Sequence, residues 1–567
     1  MRAMTTKLPE LLAPAGSMEA LDAAILAGAD AVYIGGRQFN ARMNAKNFDR
    51  PQIVEAVKKC HENGVKLYVT LNTLTLDREM NEALSYAAFL YEAGVDALIV
   101  ADLGLSLEIR ARMPDFPLHA STQMSGHNLA AAEFLSGVGF KRMVCAREAS
   151  KRDLQTLCAS SPVEIEVFVH GALCVSVSGQ CLFSSVVGGR SGNRGECAQP
   201  CRLPYNGKYP LSLKDNCLAS HLRDLIAMGV ASLKIEGRMK SPDYVYRVVS
   251  VYRRLLDEAR DAGEKELRAL AAAFSRQGFT DGYYTGRITP AMLGTRTEED
   301  KKLSAAPCRM DRVARSFAPL VLARPALPAP PPFVTRRAPA PPKKARSARF
   351  YKASSIPENA ALLDVVYLPL DRFEKGRANG VVFPPVIFDS ELPAVREKLK
   401  KAKACGAVHA LVCNIGQIAL ARELGFVMHG DYRLNIFNSA SAAFFEGIFA
   451  DVLLSPELLL AQARDIGGEK SFIVYGRLPL MTLEKPVGAD SLRDRRGVVF
   501  PVLRECGRDI VFNSLPTYMG DRKQLLKAAG IENEHYIFTV EGPNECRTVL
   551  DYYQKGLPTK KEVRRIR

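Results

Sequence analysis

The stretch ELLAPAGSMEALDAAILAGADAVYIGG, residues 10–36, indicates the fold that we expect for this chain. Two apolar runs, LLAPA (11–15) and AVYIG (31–35), flank an alanine-rich segment that begins after Ser17. Serine is a favoured N-cap residue, so we interpret the segment as a helix between two strands. A helical crossover between neighbouring strands is the repeating unit of a parallel sheet.

The same unit recurs along the first half of the chain. Further strand candidates are KLYVTLN (66–72), ALIVAD (97–102), PLHAS (117–121), RMVCAR (142–147), EIEVFVH (164–170) and SLKIEG (232–237). Eight strands with helical crossovers in about 240 residues match the count and length of a (β/α)8 barrel. We therefore predict an α/β fold with a TIM-type barrel over 8–290. An open doubly wound sheet is the alternative, because periodicity does not show closure.

The composition is that of a globular protein. The 567 residues are 47% hydrophobic and 24% charged, and the N-terminus lacks the apolar stretch of a signal peptide. We find no apolar run long enough to cross a membrane. Thirteen cysteines, with five between 174 and 217, favour a reducing, cytoplasmic setting and a local metal or redox site over a disulfide framework.

The formal net charge of +16 suits a polyanionic partner such as RNA. A basic surface together with a basic linker is the alternative explanation. Residues 315–347 are dense in proline and their charges are all basic, so we predict a linker there.

The second half of the chain is similar to the first. FPLHASTQMSGHNLAAAEFL (116–135) aligns without gaps to FVMHGDYRLNIFNSASAAFF (426–445), which pairs Asn128 with Asn438. Other motifs recur in the same order, and a repeated order of motifs indicates a repeated fold.

We therefore predict a second, degenerate barrel-like α/β domain over 348–556, followed by a basic tail over 557–567. This copy lacks the cysteines described next, so we expect the chemistry in the first half.

Residues 168–202, FVHGALCVSVSGQCLFSSVVGGRSGNRGECAQPCR, hold four cysteines: Cys174, Cys181, Cys197 and Cys201. Their spacing is C-x6-C-x15-C-x3-C, and only the last pair is as close as in usual structural zinc sites. A [4Fe–4S] cluster is larger than a single ion and accepts wider spacing. Spacing alone leaves iron–sulfur ligation, zinc ligation and unmetallated thiols open, and Cys217 could replace one of the four.

Polar residues follow several predicted strands: Asn72, Gln123, His170, Glu236 and Arg238. The carboxyl ends of barrel strands form one face, where barrel enzymes hold their sites. A His and a Glu close together can share acid–base chemistry, and an Arg beside them can bind a carboxylate. We therefore predict His170, Glu236 and Arg238 as catalytic residues. The alternative is that Glu236 forms an ion pair with Arg238 or Lys234 that only braces the loops.

Several motifs together carry a family resemblance. They are the opening stretch, FNAR (39–42), VFVHGALCVSVSGQC (167–181), GRSGNRGECAQPCRLPY (189–205) and SLKIEGRMKSPDYV (232–245). In this order, over about residues 8–255, they resemble the collagenase-like peptidase family, peptidase family U32. The longer members, which include a 23S ribosomal RNA cytidine hydroxylase, look most similar. As this family resemblance implies, the wider segment 291–347 is expected to hold the linker and the remnant of a small module.

The resemblance implies a [4Fe–4S] cluster on Cys174, Cys181, Cys197 and Cys201, with zinc as the alternative. It also implies hydroxylation of an aromatic or pyrimidine ring, and a sister group uses prephenate as the oxygen donor. We therefore expect a hydroxylase of an rRNA or tRNA base with a small carboxylate donor such as prephenate. The expected substrate-binding residues are Asn40, Asn72, Gln123, Arg190, Arg194 and Lys234.

Two other functions remain as alternatives. The first is a peptidase, for which His170 and Cys174 could form a Cys–His dyad, although the sequence contains neither HExxH nor GxSxG. The second is a binding or maturation factor without catalysis of its own.

Overall fold

The structure, a computed structural model, describes residues 8–43, 45–304, 308–313, 317–322, 324, 327, 331–334 and 345–566. This part of the chain contains a ten-stranded, an eight-stranded and a four-stranded sheet. None of its helices is long and apolar enough to cross a membrane.

The ten-stranded sheet belongs to the first half of the chain. Its strands are β1 (Glu10–Pro14), β2 (Ala31–Gly35), β3 (Lys66–Leu71), β4 (Ala97–Val100), β5 (Leu118–Ala120), β6 (Arg142–Val144), β7 (Glu164–Gly171), β8 (Asp215–Cys217), β9 (Ser232–Ile235) and β10 (Phe279–Thr280). The helices are α1 (Met18–Leu26), α2 (Arg50–Glu62), α3 (Asp77–Glu92), α4 (Leu103–Arg112), α5 (Leu129–Val138), α6 (Lys151–Ser160), α7 (Phe183–Gly188), α8 (Leu222–Ala227), α9 (Pro242–Asp257), α10 (Glu264–Ala273), α11 (Gly282–Thr285) and α12 (Glu298–Leu303).

Eight of these strands form a closed parallel barrel in the order β1 to β7 and then β9. Strand β9 pairs in parallel with both β1 and β7: Leu12 lies opposite Lys234, and Glu166 lies opposite Ser232. Strand β8 runs antiparallel to the end of β7, outside the ring. The predicted TIM-type barrel is confirmed, and the open sheet is wrong.

Serine side chains begin several of the crossover helices. Ser17 Oγ accepts a hydrogen bond from Ala20 N at 3.3 Å at the start of α1, and Ser150 and Ser241 cap α6 and α9 in the same way. Such a cap satisfies a backbone N–H that has no partner inside the helix. The serines therefore fix where each helix begins and how long the preceding loop is.

The interior of the barrel has an apolar part and a charged part. Leu12, Ala31, Tyr33, Tyr68, Ala97 and Ile99 form a buried cluster. Glu166 is fully buried and lies 2.7 Å from Lys234 Nζ and 3.1 Å from Arg142 Nη1. Removing one partner of a buried ion pair leaves an uncompensated charge. These contacts therefore hold Lys234 in a defined position.

The second half supplies the other two sheets. Its strands are β11 (Arg346–Phe350), β12 (Val365–Pro369), β13 (Gly380–Val382), β14 (His409–Val412), β15 (Val427–Gly430), β16 (Ser471–Gly476), β17 (Pro479–Leu483), β18 (Ser491–Arg493), β19 (Val499–Glu505), β20 (Arg508–Phe512), β21 (Thr517–Tyr518) and β22 (Asn533–Phe538). Its helices are α13 (Leu392–Ala404), α14 (Ile418–Glu423), α15 (Ser439–Glu446), α16 (Leu460–Asp465), α17 (Lys523–Ala528) and α18 (Pro543–Lys555).

The second barrel is degenerate at one position. Strands β11 to β15, β22 and β16 pair in parallel. Between β15 and β16 there is no full strand; Val452 makes a single bridge to Gly430, and Leu453 makes one to Ser471. The predicted second, degenerate barrel-like domain is thus confirmed.

Strands β17 to β20 form an antiparallel sheet that is inserted into the second barrel, in the order β17-β20-β19-β18. Its β17 edge pairs with the first half of the chain. Val177 N donates to Thr482 O, and Leu182 N donates to Leu480 O, each at 2.8 Å. This inserted sheet therefore packs directly on the segment that carries the four cysteines.

The two barrels meet through equivalent helix starts. Asn128 caps α5 and donates from Nδ2 to Ile387 O at 2.9 Å. Its repeat counterpart, Asn438, caps α15 and donates from Nδ2 to Asp102 Oδ1 at 2.9 Å. The N-cap asparagine of each half thus donates a hydrogen bond to the other half. Such reciprocal contacts are those of a local two-fold axis.

Glycine permits this close approach on both sides. A Cβ at Gly104 would lie 2.1 Å from Asn438 Oδ1, and a Cβ at Gly416 would lie 2.2 Å from Asn128 Oδ1. Each of these cap oxygens already accepts a hydrogen bond from its own helix, so neither can move away easily.

The predicted linker lies along the outside of the first barrel where it is described. Leu320 N donates to His61 O at 2.9 Å, and the Arg324 guanidinium lies 4.6 Å from the centroid of the Tyr91 ring. Several of its residues lie outside the described part of the chain: 315–316, 323, 325–326, 328–330 and 335–344.

Gly416→Ala should weaken the junction between the barrels, because the new carbon would stand 2.2 Å from Asn128 Oδ1. Overpacking of this kind costs about 1–3 kcal/mol, so the urea midpoint of unfolding should fall. Gly137→Ala in α5 is the control, since a Cβ there meets nothing within 4 Å and alanine stabilises a helix interior by roughly 0.5–1 kcal/mol. A Gly416→Ala midpoint equal to that of the wild type would contradict the described contact.

Candidate active site

A cavity of about 380 Å³ opens at the carboxyl end of the first barrel. It is lined by residues that follow the barrel strands, among them Asn72, Gln123, Arg147, Cys174 and Glu236. Met481 of β17 adds a piece of wall from the second half. The cavity therefore lies on the face where barrel enzymes hold their sites, and both halves of the chain contribute to it.

The cysteine loop, residues 172–202, follows β7 and brings all four predicted cysteines to the cavity wall. Three of them, Cys174, Cys181 and Cys197, accept a backbone hydrogen bond from the residue two positions further along. Backbone N–H groups directed at sulfur stabilise the thiolate form that binds metal.

The thiols are grouped more loosely than a single ion requires. Among the described residues, no three Cys, His, Asp or Glu side chains are close enough to hold one metal ion. A tetrahedral zinc with Zn–S bonds of about 2.3 Å would hold its sulfurs roughly 3.8 Å apart. Cys217 lies apart from the four, with its Sγ 3.8 Å from Tyr252 Oη, and is not among the lining residues.

Burial raises the pKa of three of these thiols, Cys174, Cys181 and Cys201, and makes them weak acids. It raises the pKa of Cys201 to about 12, and it also raises the pKa of Cys174, although the charge of Arg147 opposes the rise. A buried thiol of this kind loses its proton only to a strong positive partner such as a metal. Without such a partner the thiols are poor nucleophiles.

Glu236 is the single acidic residue in the part of the cavity lining that the structure describes. Its Oε1 lies 3.3 Å from Arg42 Nη2. Burial by itself would raise the pKa of Glu236, but the charges of Arg42, Arg147 and Arg238 outweigh burial and lower the pKa below its usual value. Glu236 is therefore ionised at neutral pH and can accept a proton.

Glu236 forms its ion pair with Arg42 rather than with the predicted Arg238 or Lys234, because both of these cations have other partners. Lys234 pairs with Glu166 inside the barrel. Arg238 donates from Nη2 to Asn40 Oδ1 and from Nη1 to Thr70 Oγ1, each at 2.5 Å. Whether Glu236 is catalytic or only braces the loops stays a prediction.

Asn40 is a positioning residue for Arg238. It is fully buried, and it donates from Nδ2 to Gly36 O while its Oδ1 accepts from Arg238. Burial lowers the pKa of Arg238 to about 10, so the guanidinium stays charged at neutral pH. Its Nε has no partner among the described residues.

Positive charge dominates the cavity wall. Among the described lining residues, seven side chains are cationic and one, Glu236, is acidic. The cations are Arg42, Arg147, Arg202, Lys234, Arg238, Lys240 and Arg276. Guanidinium groups bind carboxylates and phosphates in bidentate geometry. The cavity therefore favours an anionic small molecule.

Lys240 and Arg276 share the ring of Phe274. Lys240 Nζ lies 2.7 Å and Arg276 Cζ 5.1 Å from the ring centroid, and Arg276 also pairs with Asp215. Burial lowers the pKa of Lys240 to about 7; Asp215 opposes this shift and Arg276 adds to it. Near neutral pH, Lys240 therefore exists in both protonation states and can give or take a proton.

His170 lies outside the cavity lining. It is enclosed by aromatic rings, with the Tyr252 and Phe279 centroids 5.6 Å and 5.2 Å from its own. Burial lowers its pKa to about 3, and its Nε2 has no partner among the described residues. Its catalytic role stays a prediction.

The remaining predicted residues divide between the cavity and its surroundings. Asn72 and Gln123 line the cavity, and Gln123 Oε1 is buried without a partner among the described residues. Arg190 is exposed and donates to Glu196 O, while Arg194 lies 2.7 Å from a carboxylate oxygen of Glu79. The substrate-binding roles of all of these residues stay predictions.

Sequence reasoning missed three cations of the cavity. Arg42 and Lys240 stand inside the quoted motifs FNAR and SLKIEGRMKSPDYV, so each carried a signal. Arg276 carried none, because it follows α10, beyond the barrel strands.

Lys240 should react with an amine-acylating reagent near neutral pH. Because burial lowers its pKa to about 7, half-maximal labelling should lie near that pH, as followed by peptide mass spectrometry. The unfolded chain, with the ordinary pKa of 10.5, binds more protons between these two values. Stability should therefore rise with pH across this interval.

Lys240→Met should remove that part of the pH dependence of unfolding. The exposed Lys398 serves as an internal reference for the reagent. Labelling of Lys240 only at strongly alkaline pH would contradict its described surroundings.

Comparison with known proteins places the chain in a family. Residues 16–292 match peptidase family U32. A 23S rRNA 5-hydroxycytidine synthase of Escherichia coli is 45% identical over 259 residues, which cover 44% of this chain and 39% of that protein. A tRNA hydroxylation protein of Bacillus subtilis is 40% identical over 269 residues, which cover 44% of this chain and 64% of that protein.

A third relative is matched over more of its length. A collagenase of Porphyromonas gingivalis is 35% identical over 310 residues, which cover 49% of this chain and 74% of that protein. By contrast, the chain spans 39% and 64% of the lengths of the two RNA-related proteins. Since the matched segment contains β2 to β10 and the cysteine loop, and the Porphyromonas gingivalis relative is covered over 74% of its length, the chain belongs to peptidase family U32.

Proposed function

We propose that the chain is an iron–sulfur-dependent hydroxylase of a pyrimidine base in rRNA or tRNA. The main support for this proposal is the cavity, whose described lining residues include four thiols, seven cations and one carboxylate. Two relatives are named for RNA hydroxylation. The net charge of +16 supports a polyanionic substrate.

Cys174, Cys181, Cys197 and Cys201 would hold a [4Fe–4S] cluster. When bound, such a cluster supplies one-electron transfer, with a potential that depends on hydrogen bonds to its sulfurs. The N–H donors to three of the sulfurs support this ligation. The spacing C-x6-C-x15-C-x3-C, wider than in usual structural zinc sites, favours a cluster over a single zinc ion.

A small carboxylate donor such as prephenate would bind to the cationic wall. Arg147 would bind its carboxylate, because it lines the cavity and has no ion-pair partner among the described residues; its Nη1 lies 3.5 Å from Ser178 Oγ. Hydroxylation replaces a ring C–H by C–OH and removes two electrons from the ring. The donor would take them as its own C–O bond becomes C–H.

Glu236 and Lys240 would carry the protons. An ionised Glu236 can accept the proton that leaves the ring, and Lys240 can exchange protons near neutral pH. Chemistry on a base requires that the base leave its stack. The cavity at the open end of the barrel would receive it.

A peptidase is the second candidate, because one relative is named a collagenase. A Cys–His dyad would need an imidazole beside a cavity thiol. No histidine is among the lining residues that the structure describes, and the ring of His170 is enclosed by aromatic side chains. Together with the raised pKa of the buried thiols, this arrangement favours the hydroxylase.

Anaerobic reconstitution with iron and sulfide should load about four irons per chain and give a broad visible absorption from thiolate-to-iron charge transfer. Cys174→Ala and Cys181→Ala should lose both signals. Cys405→Ala in the second half, outside the cavity lining, should keep them. Stoichiometric zinc without iron would overturn the proposed cluster.

Nucleoside mass spectrometry of rRNA and tRNA from a strain that lacks this protein should show the loss of one hydroxylated pyrimidine. Wild-type protein should restore it. Glu236→Gln should fail to restore it with unchanged iron content and melting temperature, because the amide cannot accept a proton. Glu264→Gln, which alters an exposed carboxylate on α10, should restore it. An unchanged set of nucleosides in the deletion strain would refute the proposed reaction.

A further inference from the structure

We infer that an exposed hairpin of the second half binds the phosphate backbone of RNA beside the cavity. This basic hairpin consists of β18, β19 and the turn between them, residues 491–505, and carries Arg493, Arg495 and Arg496, which are all exposed. The inference rests on the proposed function, since RNA is the substrate proposed there.

The three guanidinium groups are available for an outside partner. In the described part of the chain, none of them lies within ion-pair distance of a carboxylate; the contact of Arg493 is a hydrogen bond from Nη1 to Gly497 O at 3.3 Å. Three cations without a carboxylate partner on one short hairpin create a local positive potential, which attracts a polyanion.

The turn of the basic hairpin is held in one shape. Asp494 Oδ1 accepts hydrogen bonds from Arg496 N and Val498 N, both at 2.9 Å. The only carboxylate in the turn is therefore engaged with its backbone. A preformed turn loses little conformational entropy on binding, which favours affinity.

The basic hairpin is attached to the part of the chain that lines the cavity. Arg493 N donates to Asn206 Oδ1, and Asn206 N donates to Arg493 O, each at 2.9 Å. The Phe500 ring packs on Phe183 in the cysteine loop, with centroids 5.1 Å apart.

The position of β18 in the inserted sheet sets its distance from the cavity. It is three strands away from β17, which contributes Met481 to the cavity wall. Because strands lie about 4.8 Å apart, this separation is about 14 Å. A single-stranded RNA bound in the cavity would therefore need only a few nucleotides to reach the basic hairpin.

The neighbouring turn adds the features that favour nucleic acid over an acidic protein. Lys208 is exposed there, and Tyr209 next to it is 42% exposed. Proteins that bind single-stranded nucleic acid combine cations for the backbone with aromatic rings on which bases stack. Lys208 and Tyr209 supply both beside Arg493.

The test compares two triple variants of the full-length protein in binding a short fluorescein-labelled single-stranded RNA. The first is Arg493→Gln with Arg495→Gln and Arg496→Gln. The control is Lys398→Gln with Lys401→Gln and Arg422→Gln, which removes the same charge from exposed positions on α13 and α14. The hairpin variant should bind about tenfold more weakly than the control. The slope of log affinity against log salt concentration should be smaller in magnitude by about 2, since each lost phosphate contact removes roughly 0.7.

Melting temperatures of both variants should match the wild type, because the altered side chains are exposed. Equal affinities of the two variants would overturn the inference, since net charge alone would then account for binding. Tighter hairpin-dependent binding to polyglutamate than to RNA would overturn it in favour of an acidic protein.

The inference and the proposed function fail separately. If the deletion strain keeps all its hydroxylated nucleosides while RNA binding still depends on the basic hairpin, the proposed hydroxylation is wrong and the proposed RNA-binding surface is supported. If a hydroxylated nucleoside depends on the protein but the hairpin variant binds RNA like the wild type, the proposed RNA-binding surface is wrong and the proposed hydroxylation is supported.

Discussion

The hydrogen bonds that join β9 to both β1 and β7 are the constraint on which the candidate site depends. They place the end of β7, where the cysteine loop begins, next to the end of β9, which is followed by Glu236 and Arg238. Glu236 N donates to His170 O at 2.9 Å across this seam. Two segments distant in sequence therefore form one cavity, as closure of a parallel barrel requires.

Polar side chains inside the barrel ring differ from those at the cavity wall in whether they have partners. Inside the ring, Glu166 is paired with Lys234 and Arg142, so these buried charges compensate one another. At the cavity wall, Gln123 Oε1 and Arg147 Nε are buried without partners among the described residues. A buried polar group without a partner is costly and rare. An anionic ligand would accept a hydrogen bond from Arg147 Nε, whereas Gln123 Oε1 would need a ligand hydroxyl or amino group as donor.

The second barrel repeats the fold of the first but not the four-cysteine motif of its candidate site. The position of His170 is taken by Tyr475 and that of Cys174 by Pro479. What this half contributes is support: the inserted sheet forms a common core with the cysteine loop, in which Leu480 and Leu483 pack with Leu173 and Phe183. Because loops rarely hold a defined shape without such packing, the arrangement of the thiols depends on both halves.

The sequence by itself determined the first barrel and the existence of the second. Apolar runs with capped helices between them can form only a limited set of folds, and the gapless match of 116–135 to 426–445 predicted a repeat. It also determined that four cysteines lie together, because they share one loop. These are features of local pattern, which neighbouring residues decide.

Only the tertiary structure decided which charges face the cavity. Arg194, chosen from its motif, pairs with Glu79, whereas Arg276, which had no motif, lines the wall. His170 lies in the last two residues of β7, next to its predicted position at the strand end, but it is turned into an aromatic environment, because the pleat of a strand places successive side chains on opposite faces. Contacts such as Val177 with Thr482 join residues far apart in sequence, and no local pattern specifies them.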